Sequence, residues 1–270
     1  MTRITKRFGD LKMRGQKGFV VYITAGDPDL KKTHQLVLEL DKQGVDILEL
    51  GVPFSDPLAD GPVIQEASQR ALKAGATLEG VLSLVQALRQ ETEIPIVLFT
   101  YYNPIHRYGV ERFVNRAADV GVDGVLMLDL PPEEGHEYKS LMDERGIDTI
   151  FLVTPTTRDA RMGLLASKST GFVYYVSRTG VTGERDTLSD TIQSKVLAIR
   201  KHTDVPIAVG FGISQPEQVL AVAKYADAVV VGSAIVRRIG QHGHDADLVA
   251  KVGDFVGALV KPLREGNKDG

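Results

Sequence analysis

A glutamate inside an apolar run, with two aspartates on the loop behind it, marks the place in this chain best suited to moving protons. Val45-Asp46-Ile47-Leu48-Glu49-Leu50 reads as a strand. It breaks into a loop stiffened by Pro53, Pro57 and Pro62 that carries Asp56 and Asp60. An ionised carboxylate buried in a strand is costly unless it has a partner or a shifted pKa. Glu49 therefore reads either as half of a structural ion pair or as a general acid–base group, with the loop acids beside it.

The elements that must hold these groups form a regular beat. Short apolar runs recur at Phe19–Ala25, Val45–Gly51, Pro95–Tyr102, Val122–Leu128, Ile147–Val153, Gly171–Ser177, Val205–Gly210 and Ala226–Gly232. They are continuous rather than alternating, as in parallel strands covered on both faces. Amphipathic segments separate them, marked by Leu36 and Leu40, by Val81, Leu84, Val85 and Leu88, by Phe113, Val114 and Ala117, and later by Val196, Ile199, Val219 and Val222. Eight such units in about 250 residues predict an α/β fold, a (β/α)8 TIM barrel, over 1–270 as a single domain. A doubly wound sheet is the rival, but no linker or composition shift divides the chain. Ile4 to Arg14 is expected to form an extra N-terminal helix closing the barrel bottom. An additional helix is expected after the second strand, from Pro62 to Ala74, since proline suits a first helical turn.

In such barrels the active site lies at the C-terminal ends of the strands. Those ends gather Glu49 and Asp60, the tyrosines Tyr22, Tyr102, Tyr174 and Tyr175, and the turns Gly210-Phe211-Gly212 and Gly232-Ser233. Glycine-rich turns after the last two strands, each opening a helix, present backbone N–H groups to a phosphate. Gly212, Gly232 and Ser233 are the candidates, with Gly183 as a third wall; plain turn chemistry is the alternative. The aromatic residues, with Leu128 and Val153, suggest a mostly apolar pocket for a flat ring.

Absences narrow the chemistry. No apolar run contains a lysine for a Schiff base, and none of the six histidines lies in a strand, so a metal site is not expected. There is no cysteine, which removes disulfides, thiolate ligands and a cysteine nucleophile. A net charge of −3 offers no footprint for nucleic acid. The first 18 residues lack an apolar core for secretion, and no run approaches the ~20 residues of a membrane span, so a soluble protein is expected. Carboxylate acid–base catalysis on a small phosphorylated substrate remains.

Leu48-Glu49-Leu50-Gly51-Val52-Pro53-Phe54-Ser55-Asp56-Pro57-Leu58-Ala59-Asp60-Gly61-Pro62 closely resembles the tryptophan synthase α chain family. Ala25-Gly26-Asp27-Pro28, Tyr102-Asn103-Pro104, Gly180-Val181-Thr182-Gly183 and Gly210-Phe211-Gly212-Ile213-Ser214 do so as well, in order, over about Arg7 to Val260. The resemblance implies a cytoplasmic carbon–carbon lyase that cleaves indole-3-glycerol phosphate to indole and D-glyceraldehyde 3-phosphate. It implies that Glu49 moves protons and that Asp60 accepts the indole N–H. Tyr22, Tyr102, Tyr175, Thr182, Gly183, Phe211, Gly212, Gly232 and Ser233 would bind substrate. The loop from Arg178 to about Leu188 would close as a lid, with Thr182 meeting Asp60. No cofactor is implied for this chain. A pyridoxal-phosphate-containing β chain is the implied partner in an α2β2 heterotetramer, met through Pro53, Asp56, Pro57, Asn103 and Pro131. Tyr22 and Thr100 are more polar than the lining the resemblance implies at those positions. Another phosphate-binding barrel enzyme of the histidine or tryptophan pathways, or a non-catalytic activating subunit, are the competing readings.

Overall fold

A computed structural model describes residues 1–177, 185–210 and 212–265, with the backbone only for 185–191. In chain order the elements are α1 (Arg3–Met13), β1 (Gly18–Thr24), α2 (Leu30–Lys42), β2 (Ile47–Gly51), α3 (Pro62–Lys73), α4 (Leu78–Leu88) and β3 (Ile96–Thr100). Next come α5 (Tyr102–Tyr108), α6 (Val110–Val120), β4 (Gly124–Met127), α7 (His136–Glu144), β5 (Asp148–Ile150), β6 (Leu152–Val153) and α8 (Asp159–Lys168). The chain continues through β7 (Val173–Val176), α9 (Arg185–Arg200), β8 (Ile207–Gly210), α10 (Pro216–Ala223), β9 (Ala228–Val231), α11 (Ser233–His242) and α12 (Leu248–Glu265). Local chemistry starts several helices: Thr2, Asp29 and Thr77 side chains accept first-turn N–H groups of α1, α2 and α4, and Pro62 opens α3.

Every strand pairing is parallel, in the order β5-β4-β3-β2-β1-β9-β8-β7-β6. The two end strands belong to one apolar run parted at Phe151. Its first half pairs with β4 and its second with β7, while the Phe151 carbonyl accepts from the Tyr174 N–H at 3.1 Å. The sheet therefore closes on itself, and the split run counted once restores the eight strands expected. One boundary differs. The third run ends at Thr100, and Tyr102 opens α5 instead of extending the strand. Asp129 accepts from the Tyr102 N–H at 2.7 Å, and Pro104 falls in the first helical turn, where a missing N–H costs nothing.

Within each strand, alternate residues face the barrel axis and the helices. Val20, Ile47, Val97 and Leu126 point inward, where Ile4, Phe8 and Leu11 of α1 pack on them and plug the lower end. Arg3 and Arg7 pin that plug to Asp123 and Asp46. Val21, Leu48, Leu98 and Val209 point outward into the helix layer. The lower rim repeats one device. Asp46, Asp123 and Asp227 each accept a backbone N–H from the start of the neighbouring strand, those of Phe19, Ile96 and Ile207, at 2.7, 2.8 and 2.8 Å, and each pairs with an arginine, Arg264, Arg89 and Arg200 respectively. With α1 packed across the lower end, the interior of the barrel is reached from its upper end. Among the described residues no helix is long and apolar enough to cross a membrane.

Candidate active site

A cavity of about 440 Å³ occupies that upper end. Glu49 lies on its wall, an inward position of β2, in register with Tyr22 of β1 and Val97 of β3. The side chain is fully buried, and neither carboxylate oxygen has a hydrogen-bond partner among the described residues. The ion-pair reading is thus not realised there. Burial alone pushes the Glu49 carboxyl up to about 8, so at neutral pH it holds its proton. A neutral carboxylic acid facing a cavity is a proton donor in waiting.

Asp60 lies on the same cavity, half-exposed, at the end of the proline loop. Its N–H donates to the Pro57 carbonyl at 3.1 Å, and Gln65 of α3 donates to its own carbonyl at 2.9 Å, so the loop is tied to the helix that follows. The Tyr101 hydroxyl donates to the Asp60 carboxylate at 3.0 Å. Asp56 is exposed on the loop and does not line the cavity.

Tyr22 and Tyr174 bring aromatic walls. Each ring leans over a glycine of the next strand: a Cβ on Gly51 would come within 2.7 Å of Tyr22 Cζ, and one on Gly210 within 2.5 Å of the Tyr174 hydroxyl. Phe99 meets Tyr22 edge-on at 5.0 Å, and Leu128, Ile64 and Val230 complete an apolar slot. Burial, and then the charge of Asp60, push the Tyr22 phenol up, so it stays protonated. Gly51→Ala is expected to swing Tyr22 into the slot, raising KM about tenfold or more and costing about 1–3 kcal/mol of stability. Steady-state kinetics and a thermal melt check this; an unchanged KM would show that the ring can be accommodated elsewhere.

Two expected ligand residues are placed elsewhere. Tyr175 takes the outward position of β7 and is fully buried in the helix layer, so its neighbour Tyr174 is the one facing the cavity. Tyr102, on α5, stacks on His106 at 5.6 Å and is absent from the cavity wall; Tyr101 reaches Asp60 instead. Val153 and Thr100 also face outward. The sequence places Tyr101, Thr154 and Ser177 at strand ends without giving them a role, and gives no signal for Phe99; all but Tyr101 line the cavity.

At the far side, Gly212, Gly232 and Ser233 line the cavity, and α11 begins at Ser233 with its N-terminal turn facing it. Gly212 has φ +56°, which only glycine adopts without strain. A helix N-terminus edged by glycines is a natural anion seat. Thr182, Gly183 and Phe211 lie outside the described residues, as does the segment expected to form a lid up to residue 184; α9 begins at Arg185. No group of three or more His, Asp or Glu side chains arranged for a metal occurs among the described residues.

Fold and cavity together put the chain among the α/β-barrel proteins whose site opens at the C-terminal ends of the strands. The family model for "Tryptophan synthase alpha chain" matches residues 8–260. The tryptophan synthase alpha chain of Geotalea uraniireducens is 53% identical over 259 residues, covering 96% of this chain and 97% of that one. That of Geobacter sulfurreducens is 52% identical over 263 residues, covering 97% and 99%. The crystal structure of tryptophan synthase subunit alpha from Legionella pneumophila superposes with a TM-score of 0.90 at 36% identity, covering 98% of this chain and 99% of that one. The chain belongs to the tryptophan synthase alpha chain family.

Proposed function

We propose that Glu49 and Asp60 divide the work of cleaving indole-3-glycerol phosphate in the upper cavity. As a tryptophan synthase α subunit the protein is a carbon–carbon lyase acting on that substrate. The neutral Glu49 carboxyl gives its proton to indole C3, and the positive charge that develops spreads to the ring nitrogen. The Asp60 carboxylate accepts the N–H and holds that charge in the transition state. Glu49, now ionised, takes the proton of the glycerol hydroxyl next to the ring. The carbon–carbon electron pair returns to the indole, an aldehyde forms, and Glu49 ends as it began. Tyr22, Tyr174, Phe99 and Leu128 would hold the ring, and Gly212, Gly232 and Ser233 the phosphate. The observation that carries this reading is Glu49 itself, a buried carboxyl with no hydrogen-bond partner among the described residues, on one cavity with Asp60 and the α11 N-terminus.

The partner in this reading is a β chain, which holds the pyridoxal phosphate, in an α2β2 assembly. Support comes from the loops after β2 and β3, where Leu58 is 82% exposed and Asp56 and Asn103 are also exposed. Pro57 and Pro131 are half-buried, whereas Pro53 is buried and offers no surface. Purified chain incubated with indole-3-glycerol phosphate, with and without a co-purified β chain, should release indole in both cases and faster in the complex. A chain that releases no indole under either condition would refute the assignment and favour another phosphate-binding barrel activity.

A further inference from the structure

The Tyr101 side chain, on the residue after β3, is 5% exposed and reaches across to the proline loop. Its hydroxyl accepts from the Ala59 N–H at 3.0 Å and donates to Asp60 Oδ2 at 3.0 Å. One oxygen therefore grips two consecutive residues, a backbone amide and a carboxylate. The amide polarises the hydroxyl and strengthens its donation to the carboxylate. The ring packs on Phe54 of the same loop at 5.2 Å, so a phenylalanine could keep the packing without the grip.

We infer that Tyr101 is a positioning residue for the lyase reaction, its hydroxyl fixing where the Asp60 carboxylate meets the indole nitrogen. This rests on the role given to Asp60 above. The bond narrows the rotamers open to the Asp60 carboxylate, only some of which suit a developing charge. Among the described residues, the titratable groups facing Asp60 are Tyr101 itself, Tyr22 from β1 and, across the cavity, Glu49 from β2 and Tyr174 from β7. Burial first, and then the charge of Asp60, raise both phenols, so each stays a donor throughout the working range. The bond to Tyr101 favours the ionised form of Asp60. Removing it raises the pH at which Asp60 becomes competent.

The test compares wild type, Tyr101→Phe, Asp60→Asn and the double variant, each assayed with the β chain for indole release between pH 5 and 9. A hydrogen bond to a charged group corresponds to about a 10- to 100-fold effect. Tyr101→Phe is expected to lower kcat/KM by that factor, mainly through kcat, with a near-native melting temperature and an acid limb displaced to higher pH. In the Asp60→Asn background the same change should alter kcat/KM less than twofold. Losses that multiply in the double variant, or an acid limb that stays in place, overturn the proposal while leaving Asp60's role intact. Wild-type turnover in Asp60→Asn alone overturns that role, and the proposal with it.

Discussion

Glu49→Gln is expected to abolish lyase turnover, by about 10³-fold or more, while making the protein more stable at alkaline pH. The amide has nearly the same shape and cannot give a proton to C3 or take one from the hydroxyl, so both proton steps are lost together. The stability effect follows from burial. The Glu49 pKa rises from 4.5 to about 8 on folding. Below about 4.5 the carboxyl is protonated in both folded and unfolded chains and contributes nothing. As pH rises towards 8 the unfolded chain releases this proton while the folded one keeps it, so stability falls. Above 8 the cost levels off, at most about 5 kcal/mol for a shift of this size. The variant should match wild type near pH 4.5 and exceed it progressively up to pH 9 in urea melts. A constant difference across that range would mean that Glu49 is solvated and ordinary.

Asp60→Asn should lower kcat by about 10² to 10³-fold with only a small change in stability. The amide oxygen can still accept the indole N–H, so ground-state binding and KM should change little. What is lost is the negative charge, which matters only once positive charge reaches the ring nitrogen. An effect confined to KM would place Asp60 in substrate binding and remove it from the transition state.

How far the sequence reading reached depended on whether residues carried a signal for direction. Glu49 was legible because it is an acid standing inside an apolar run, and the loop acids were legible from the prolines around them. The plug and the additional helix were legible from amphipathic spacing and from Pro62. The face of a strand was not. Val173-Tyr174-Tyr175-Val176 is apolar on both sides, because one side meets the barrel interior and the other the helices. Nothing in its composition says which tyrosine turns inward. The register that aligns Tyr22 with Glu49, and Tyr174 with Leu152 and Ala208, settles it, and register is a property of the closed sheet. The end of the third strand offers Tyr101 and Tyr102 together, and the wrong one carried the role for a related reason, since the strand stops at Thr100 and the helix begins sooner than its apolar residues suggest.

The central claim is that a buried carboxyl carries its proton at neutral pH at the mouth of the barrel. A carbon-13 NMR titration of the glutamate side-chain carboxyls tests it most directly, with Glu49→Gln identifying the signal. One carboxyl should titrate near pH 8 and vanish in the variant. If every glutamate, Glu49 included, titrates near the ordinary value of about 4.3, the protein has no such acid and the mechanism built on it is wrong.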